Sequence, residues 1–561
     1  MRRIGRAEIA VATSLLAVYL ATLAPGVTLW DSGEFLAAIH SLGIPHPPGT
    51  PLYILIANVW TKLFAPVVGF AYSVNVLSAA CTAAAMALLA NLFVRATGDK
   101  SGACAAALCA GAMSTVWSSA TETEVYSSAL LFACAIIWIG NTAGDTGDRR
   151  WLVLGAYVAG LGWALHLTAL LTVPAALYLA VTYNRSSWAA TRSSRRASVG
   201  IRGFYIVDIA SPLIALALGG SAILFLLLRA RHDPAVNQGN PSHVAALTDV
   251  LLRQQYKVMP LWPRQAPWFI QVGNLFEYAD WQVALGLSPD PAPSWVRTPL
   301  TVVYGLLGIL GAHQHRRLDR RSWRGLVILF VTATLGVLAY LNLKAGASYG
   351  AGFLPAGAPH EARERDYFFM LAFVCWGLWA GFGSVHAMRW LRSQLRLRAP
   401  EKPSFETSHV IVRSITNWLP FAGILMAAAP IALNWSAVNR RAEPGASEAR
   451  HDGMRILGSA PANSVVLAHG DNETYPVWYL QEVEHVRDDV TIVVVPLLPA
   501  QWYRAELMRR GNLLTTDFVE KWRGSPETIL ALCEGAARRN RPIGDASYVA
   551  GDKFPAKCAN P

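Results

Sequence analysis

The sequence predicts an all-α polytopic membrane domain followed by a small soluble α/β domain, on three observations. Of 561 residues, 53% are hydrophobic and only 15% charged, against roughly a quarter charged in soluble domains. Apolar runs long enough for a hydrocarbon core of ~30 Å recur from residue 8 to residue 435 and then stop. The basic residues gather in a few short segments between those runs. The expected division is therefore a multi-pass domain over 1–435 and an α/β domain over 436–561.

The expected spans are 8–28, 73–93, 103–120, 127–141, 151–164, 166–182, 204–229, 297–312, 325–343, 366–388 and 415–435, about eleven in all. Arg2, Arg3 and Arg6 precede the first. Arg185, Arg192, Arg195, Arg196 and Arg202 share one loop, Arg316, Arg317, Arg320, Arg321 and Arg324 a second, and Arg389, Arg392, Arg396, Arg398, Lys402 and Arg413 a third. Positive residues resist translocation, so these loops mark the cytoplasmic side. The N-terminus is then cytoplasmic, and 29–72, 121–126, 230–296, 344–365 and the tail from 436 lie outside. Segment 151–182 admits two readings: two short spans broken near Ala164–Leu165–His166, or one long tilted helix that would invert everything downstream. MRRIGR and the apolar run after it read as an uncleaved first span.

The net charge of +12 is thus a matter of topology. No nucleic-acid motif accompanies it, which excludes nucleic acid as a partner and leaves membrane lipids. Cys81, Cys104, Cys109, Cys134 and Cys375 fall in apolar runs without metal-type spacing and read as inert packing residues. Cys533 and Cys558 lie in the tail, where an oxidising compartment would let them pair. Ser464–Leu467 reads as a buried strand, Pro476–His485 as a helix and Val490–Val495 as a second strand, which makes a βα unit with a parallel sheet.

Chemistry is concentrated in the outer segments. The first opens Trp30-Asp31-Ser32-Gly33-Glu34-Phe35 and runs to the turn Pro45-His46-Pro47-Pro48-Gly49. A helical Asp31–Glu34 stretch puts both carboxylates on one face, suited to work on one hydroxyl or one cation. The alternative is that Asp31 caps an interfacial helix and Glu34 satisfies its first turn. An acidic pair beside an apolar span is costly, which favours function.

These motifs, with Glu124-Val125-Tyr126, His166-Leu167-Thr168, Arg363-Glu364-Arg365-Asp366-Tyr367-Phe368-Phe369 and Gly470-Asp471-Asn472-Glu473-Thr474-Tyr475-Pro476, carry a resemblance over nearly the whole chain. The sequence resembles the bacterial proteins of domain-of-unknown-function family 2723, relatives of the animal protein O-mannosyltransferase transmembrane protein 260. That resemblance implies a GT-C-like fold, and with it a glycosyltransferase of the bacterial inner membrane that uses a polyprenyl-phosphate sugar and an acidic residue of the first outer loop. Two departures stand out: Asp471-Asn472-Glu473 replaces an Asp-Asn-Asp run, and Ser73 replaces an Arg before Val74-Asn75-Val76-Leu77-Ser78.

The residues support the same chemistry. An acceptor hydroxyl attacking an anomeric carbon must lose a proton, and a nearby carboxylate is the natural base. A lipid phosphate leaves as a stabilised anion, so one base, Asp31, suffices, with Glu34 its partner. Arg363 and Arg365 are placed to grip the departing phosphate, or else to pair with Glu361, Glu364 and Asp366 in a local ion network. Glu124 orients the sugar or ends a solvated helix. His46 joins the substrate-binding group, while His166 donates to a sugar or phosphate or is a satisfied buried histidine. Asp471, Asn472 and Glu473 follow a strand, where parallel α/β sheets bind ligands, or cap the helix opening near Tyr475-Pro476. No metal constellation stands out, so neither metal nor cofactor is expected.

The reading is an inverting transferase that moves a monosaccharide, with mannose as one candidate, from a polyprenyl-phosphate donor to a protein Ser/Thr or glycan acceptor at the extracytoplasmic face. Its rival is a transporter or flippase of a lipid-linked or anionic solute, in which Asp31, Glu34 and Glu124 couple protons. Absent repeat symmetry and charged groups gathered at one mouth count against the rival.

Overall fold

The computed structural model describes residues 4–182, 206–256, 259–350, 354–355, 357–397, 406–546 and 558. Arg2, Arg3, Arg185, Arg192, Arg195, Arg196, Arg202, Arg398 and Lys402 lie outside the described residues. In chain order the first elements are α1 (Arg6–Thr22), α2 (Ser32–Ser41), α3 (Pro51–Val68), α4 (Phe70–Thr97), α5 (Lys100–Gly111), α6 (Ser114–Ala120), α7 (Val125–Thr146), α8 (Arg150–Leu165) and α9 (Val173–Val181). Then come α10 (Ile206–Gly220), α11 (Leu224–Ala230), α12 (Val244–Leu251), α13 (Trp268–Ala284), α14 (Arg297–Leu318), α15 (Arg320–Val331), α16 (Val337–Leu341), α17 (Met370–Leu397) and α18 (Glu406–Val438). The tail holds α19 (Glu448–Ser459), β1 (Val465–Ala468), α20 (Asp471–Glu482), β2 (Thr491–Val494), α21 (Gln501–Gly511), α22 (Thr516–Glu520), α23 (Ser525–Ala537) and β3 (Ile543–Asp545).

The chain is an integral membrane protein. Among the described residues, seven helical stretches are long and apolar enough to cross a membrane: Pro51–Val68, Phe70–Thr97, Val125–Thr146, Ile209–Ala230, Arg320–Leu341, Asp366–Arg396 and Trp418–Val438. Counting the pair α5 and α6, bent by 71°, as one span makes eight. α8 and the stretch Leu167–Val181 are shorter apolar helices. Close helix approaches use missing side chains, as membrane bundles do: a Cβ on Gly383 of α17 would stand 2.0 Å from the Leu307 carbonyl of α14.

The bundle has two chemically distinct ends. At one, Asn91 of α4 donates to Glu8 of α1, Arg95 and Arg321 both clasp Asp145, at 2.6 and 2.9 Å, and Arg389 pairs with Asp99. At the other, Asn75 donates to the carbonyls of Ala24 and Gly26, at 2.9 and 3.0 Å, and accepts from Thr123 at 2.6 Å. The segments carrying the candidate chemistry all lie at this second end.

The reading of 151–182 resolves into two helices. Ala176 lies against Gly140 and Leu179 against Gly144, so α9 runs parallel to α7; Ile139 meets Gly155 and Ile136 is near Gly162, so α8 runs antiparallel to it. The chain reverses at His166, which is extended at φ −167° and ψ 140°.

The outer segments hold more helix than expected. Residues 51–68, part of the expected outer segment 29–72, form α3, with Pro51 in its first turn, where its missing N–H costs nothing. Trp60 of α3 donates to the Ser73 carbonyl at 2.8 Å and Asn58 to the Ile39 carbonyl at 2.7 Å. Its middle is therefore level with the start of α4, at the end where Asn75 sits, and α3 does not carry the chain to the far end. Segment 230–296 holds α12 and α13.

In the tail the three strands are parallel in the order β2-β1-β3, with Val465 opposite both Thr491 and Ile543. β3, only three residues long, escaped the sequence reading. α20 opens at Asp471, earlier than the expected Pro476, which sits inside the helix. Cys533 and Cys558 form a disulfide, Cα atoms 5.9 Å apart.

Candidate active site

The site is assembled where α2 meets α20. A Cβ on Gly33 would lie 2.2 Å from the Tyr475 carbonyl, so only glycine lets these two backbones touch. Just upstream, Trp30 adopts a left-handed φ of 61°, uncommon for a bulky residue, and its N–H donates to Asn472 Oδ1 at 2.7 Å. The two most distinctive motifs of the sequence thus hold each other, and Asp31 is fixed between them.

Asp31 occupies the cap position of α2 but makes no capping bond. Its Oδ2 instead accepts from Arg363 at 2.7 Å. Arg363 stacks between the rings of Trp30 and Tyr367, its guanidinium carbon 5.2 Å from each centroid. Burial pushes the Asp31 carboxyl up, but His46 and Arg363 outweigh it and hold it below the ordinary carboxylate range. Its carboxyl is therefore held in the ionised form at neutral pH.

Glu34 is fully buried beneath the site and makes no wall of it. Its Oε1 accepts the His46 backbone N–H at 2.7 Å and a bond from Gln238 Nε2, and its Oε2 lies 2.5 Å from His46 Nδ1. The shared helical face expected for Asp31 and Glu34 does not become a shared substrate face. Burial opposes charge on His46, yet Glu34 and Asp31 prevail and raise its pKa to about 9. The turn that presents it closes through Gly49 N–H to the His46 carbonyl at 2.9 Å, over a cis Pro47–Pro48 peptide.

These groups open into a cavity of about 600 Å³ lined by Asp31, His46, Glu124, His166, Arg363, Arg365 and Asp471, seven of the ten residues singled out from sequence. Glu124 precedes α7 without capping it, and its Oε2 is buried without a hydrogen-bond partner. Burial, then the charges of Asp31 and Glu122, push its carboxyl well above the ordinary value, which favours its neutral form at the cavity. His166 Nδ1 accepts from Thr168 N–H at 3.2 Å and its ring meets Tyr126 edge-on, 5.0 Å away. Arg365 donates to Tyr367 Oη at 2.6 Å and lies 3.5 Å from Glu361. Of the other acids that were candidates to pair with the arginines, Glu364 accepts from Tyr278 Oη and Asp366 from Thr115.

The tail closes the cavity from the carboxyl ends of β1 and β2 through Gly470, Asp471, Tyr475, Val494, Pro496 and Leu497. Burial and the charge of Asp31 push the Asp471 carboxyl up. Asn472 and Glu473 stay out of the wall: the first holds Trp30, and the second accepts from His469 N–H at 2.7 Å, bracing its own helix. Gln238, Tyr126 and Tyr367 were not selected from sequence, although the two tyrosines sit inside selected motifs. Among the described residues no group of three or more His, Cys, Asp or Glu is placed to hold a metal ion.

Two of the segments that converge here match known protein families. Residues 31–189 match the N-terminal domain of the protein O-mannosyl-transferase TMEM260. Residues 449–513 match TMEM260-associated domain 2, so the TMEM260 matches lie on both walls of the cavity. The chain is 32% identical over 173 residues to the protein O-mannosyl-transferase TMEM260 of Mus musculus, covering 30% of this chain and 24% of that one. To the Dictyostelium discoideum protein of that name it is 21% identical over 512 residues, covering 87% and 57%. It thus spans little more than half the length of one TMEM260 relative and a quarter of the other. Among solved structures, ArnT from Cupriavidus metallidurans bound to undecaprenyl phosphate superposes with a TM-score of 0.50 at 11% identity, over 96% of this chain and 89% of that one. That likeness shows the GT-C-like fold.

Proposed function

We propose that this chain is a membrane glycosyltransferase that moves a monosaccharide from a polyprenyl-phosphate donor to a hydroxyl of a protein Ser/Thr or a glycan, by a single inverting displacement. The observation that carries the reading is the Asp31–Arg363 pair on a cavity at one end of the helical bundle. The acceptor oxygen attacks the anomeric carbon and passes its proton to Asp31 as the new C–O bond forms. The bond from that carbon to the phosphate oxygen breaks, and its electron pair leaves with the phosphate. Arg363 and Arg365 stabilise the charge gathering there. Glu124 and Asp471 address sugar or acceptor hydroxyls.

Several features support this assignment. The TMEM260 relatives are named protein O-mannosyl-transferases, which favours mannose and a protein acceptor, and ArnT was solved with undecaprenyl phosphate. Arg95, Arg321 and Arg389 at the opposite end favour a cytoplasmic location for that end and an extracytoplasmic one for the site, in a bacterial inner membrane. The site residues stand at helix ends instead of at mid-bundle, which disfavours the transporter.

The test is sugar transfer by purified protein from radiolabelled polyprenyl-phosphate mannose and related donors to an envelope acceptor extract. Transfer lost in a folded Asp31→Asn variant supports the reading. Absence of transfer with every donor, alongside solute counter-flow in proteoliposomes, would replace it with the transporter.

A further inference from the structure

We infer that Gln238, Glu34 and His46 form a relay that keeps His46 cationic, and that the free end of this relay, the Nε2–H of His46, binds the donor phosphate beside Arg363. The inference rests on the transferase reading and adds a binding group and a positioning residue to it.

The geometry assigns each atom. His46 Nδ1 is committed to Glu34 Oε2 at 2.5 Å, which leaves Nε2 for the cavity that the ring lines. Glu34 has no solvent to stabilise its charge, so its oxygens need donors from the protein. His46 supplies two, and Gln238 Nε2 supplies the third. Gln238 is itself 3% exposed, and its other amide atom, Oε1, accepts from Gln255 at 3.4 Å, which fixes the direction in which it donates. Its loop is locked to the His46 loop: Ile44 N–H donates to the Val236 carbonyl at 2.7 Å and Gln238 N–H to the Ile44 carbonyl at 2.9 Å. Nothing in this arrangement serves packing alone, because a leucine would fill the place of Gln238 and leave Glu34 short of a donor.

Charge balance gives the relay its purpose. The groups facing His46 are Asp31 and Glu34 from α2, Glu124 before α7, Asp471 opening α20, His166 at the α8 reversal, and Arg363. A phosphate entering here meets acidic neighbours, while Arg363 is already paired with Asp31 and Arg365 with Glu361. An imidazolium held by a buried carboxylate is the additional cation such a ligand requires.

The experiment measures the affinity of purified full-length protein for polyprenyl phosphate, which carries no sugar, between pH 6 and pH 10. Wild type should lose affinity by about tenfold or more as pH rises through about 9, the loss of one close charge pair. Gln238→Ala and Gln238→Leu should move that fall toward the ordinary imidazole range near ~6.5, and His46→Gln should bind weakly with no such fall. Equal pH profiles for wild type and His46→Gln, or an unmoved midpoint in both Gln238 variants with folding intact by thermal unfolding, overturn the relay. Wild type that binds no polyprenyl phosphate at any pH overturns both the relay and the donor class. Binding with the expected profile but no sugar transfer supports the relay and rejects the transferase.

Discussion

Asp31 and Arg363 stand 332 positions apart in the chain and 2.7 Å apart at the cavity, so the proposed base and the proposed phosphate ligand are each other's partner. On the proposed mechanism, a donor phosphate competes with Asp31 for the same guanidinium, and a phosphate that takes it releases Asp31 to receive the acceptor proton. Asp31→Asn keeps the shape and removes the base, and transfer should fall by at least about a hundredfold in kcat. Arg363→Lys loses the planar fork that stacks between Trp30 and Tyr367. It should raise the donor KM while polyprenyl phosphate still displaces the donor. Steady-state kinetics with varied donor at fixed acceptor decide the matter; a Lys variant with unchanged donor KM would remove Arg363 from the phosphate site.

Gly33 tests whether the tail is part of the site. A methyl group there meets a backbone carbonyl of α20, which cannot turn aside as a side chain can. Gly33→Ala should cost about 1–3 kcal/mol through overpacking, and it should make the tail sensitive to limited proteolysis before the bundle unfolds. A variant with wild-type proteolysis and melting would mean that α2 and α20 do not dock so closely in the membrane.

Much of this was legible in the sequence because helix spans and basic loops are written in composition. Arg321 and Arg389 mark one end of the bundle and Asp31 the other, and both were readable without a fold. The candidate site was legible too, through Asp31, Arg363 and Asp471, which lie far apart in the chain yet line one cavity. What stayed hidden depends on three-dimensional contact. Glu34 looks like a second catalytic carboxylate at helical spacing from Asp31, but the turn after α2 folds His46 back over it. Glu473 looks like a ligand at a strand end, but its carboxylate curls onto its own helix start. Gln238, a neutral side chain in a long segment, carries no local signal, and only the Ile44 pairing brings it to Glu34. α3 hid for a different reason, since Lys62 and Pro66 interrupt its apolar pattern.

The His46–Glu34 pair also links stability to pH. His46 binds its proton more tightly folded than unfolded, with a pKa near 9 against an ordinary 6.5. Its contribution is therefore complete below about 6.5 and lost as pH rises through about 9. The size is at most about 3 kcal/mol, since the proton is shared with a buried partner. Thermal unfolding from pH 6 to pH 10 should show a decline in wild type that is absent in His46→Gln; parallel curves would show that this pair does not set the alkaline limit.

Glu124 separates two ways in which a carboxyl can serve a sugar site. Its Oε2 is buried at the cavity without a partner, and burial together with Asp31 and Glu122 favours its protonated form. A protonated carboxyl donates one hydrogen bond, as a glutamine amide does, whereas an ionised carboxylate only accepts. If the acid is neutral in the working enzyme, Glu124→Gln should keep kcat/KM within about tenfold, and Glu124→Ala should lose about a hundredfold by leaving a sugar or acceptor hydroxyl unpaired in a dry site. If Glu124 acts as an anion, the Gln variant should fall as far as the Ala variant. Comparing the two at pH 7, with expression and melting temperature matched to wild type, distinguishes a neutral hydrogen-bond donor from a charged acceptor at this position.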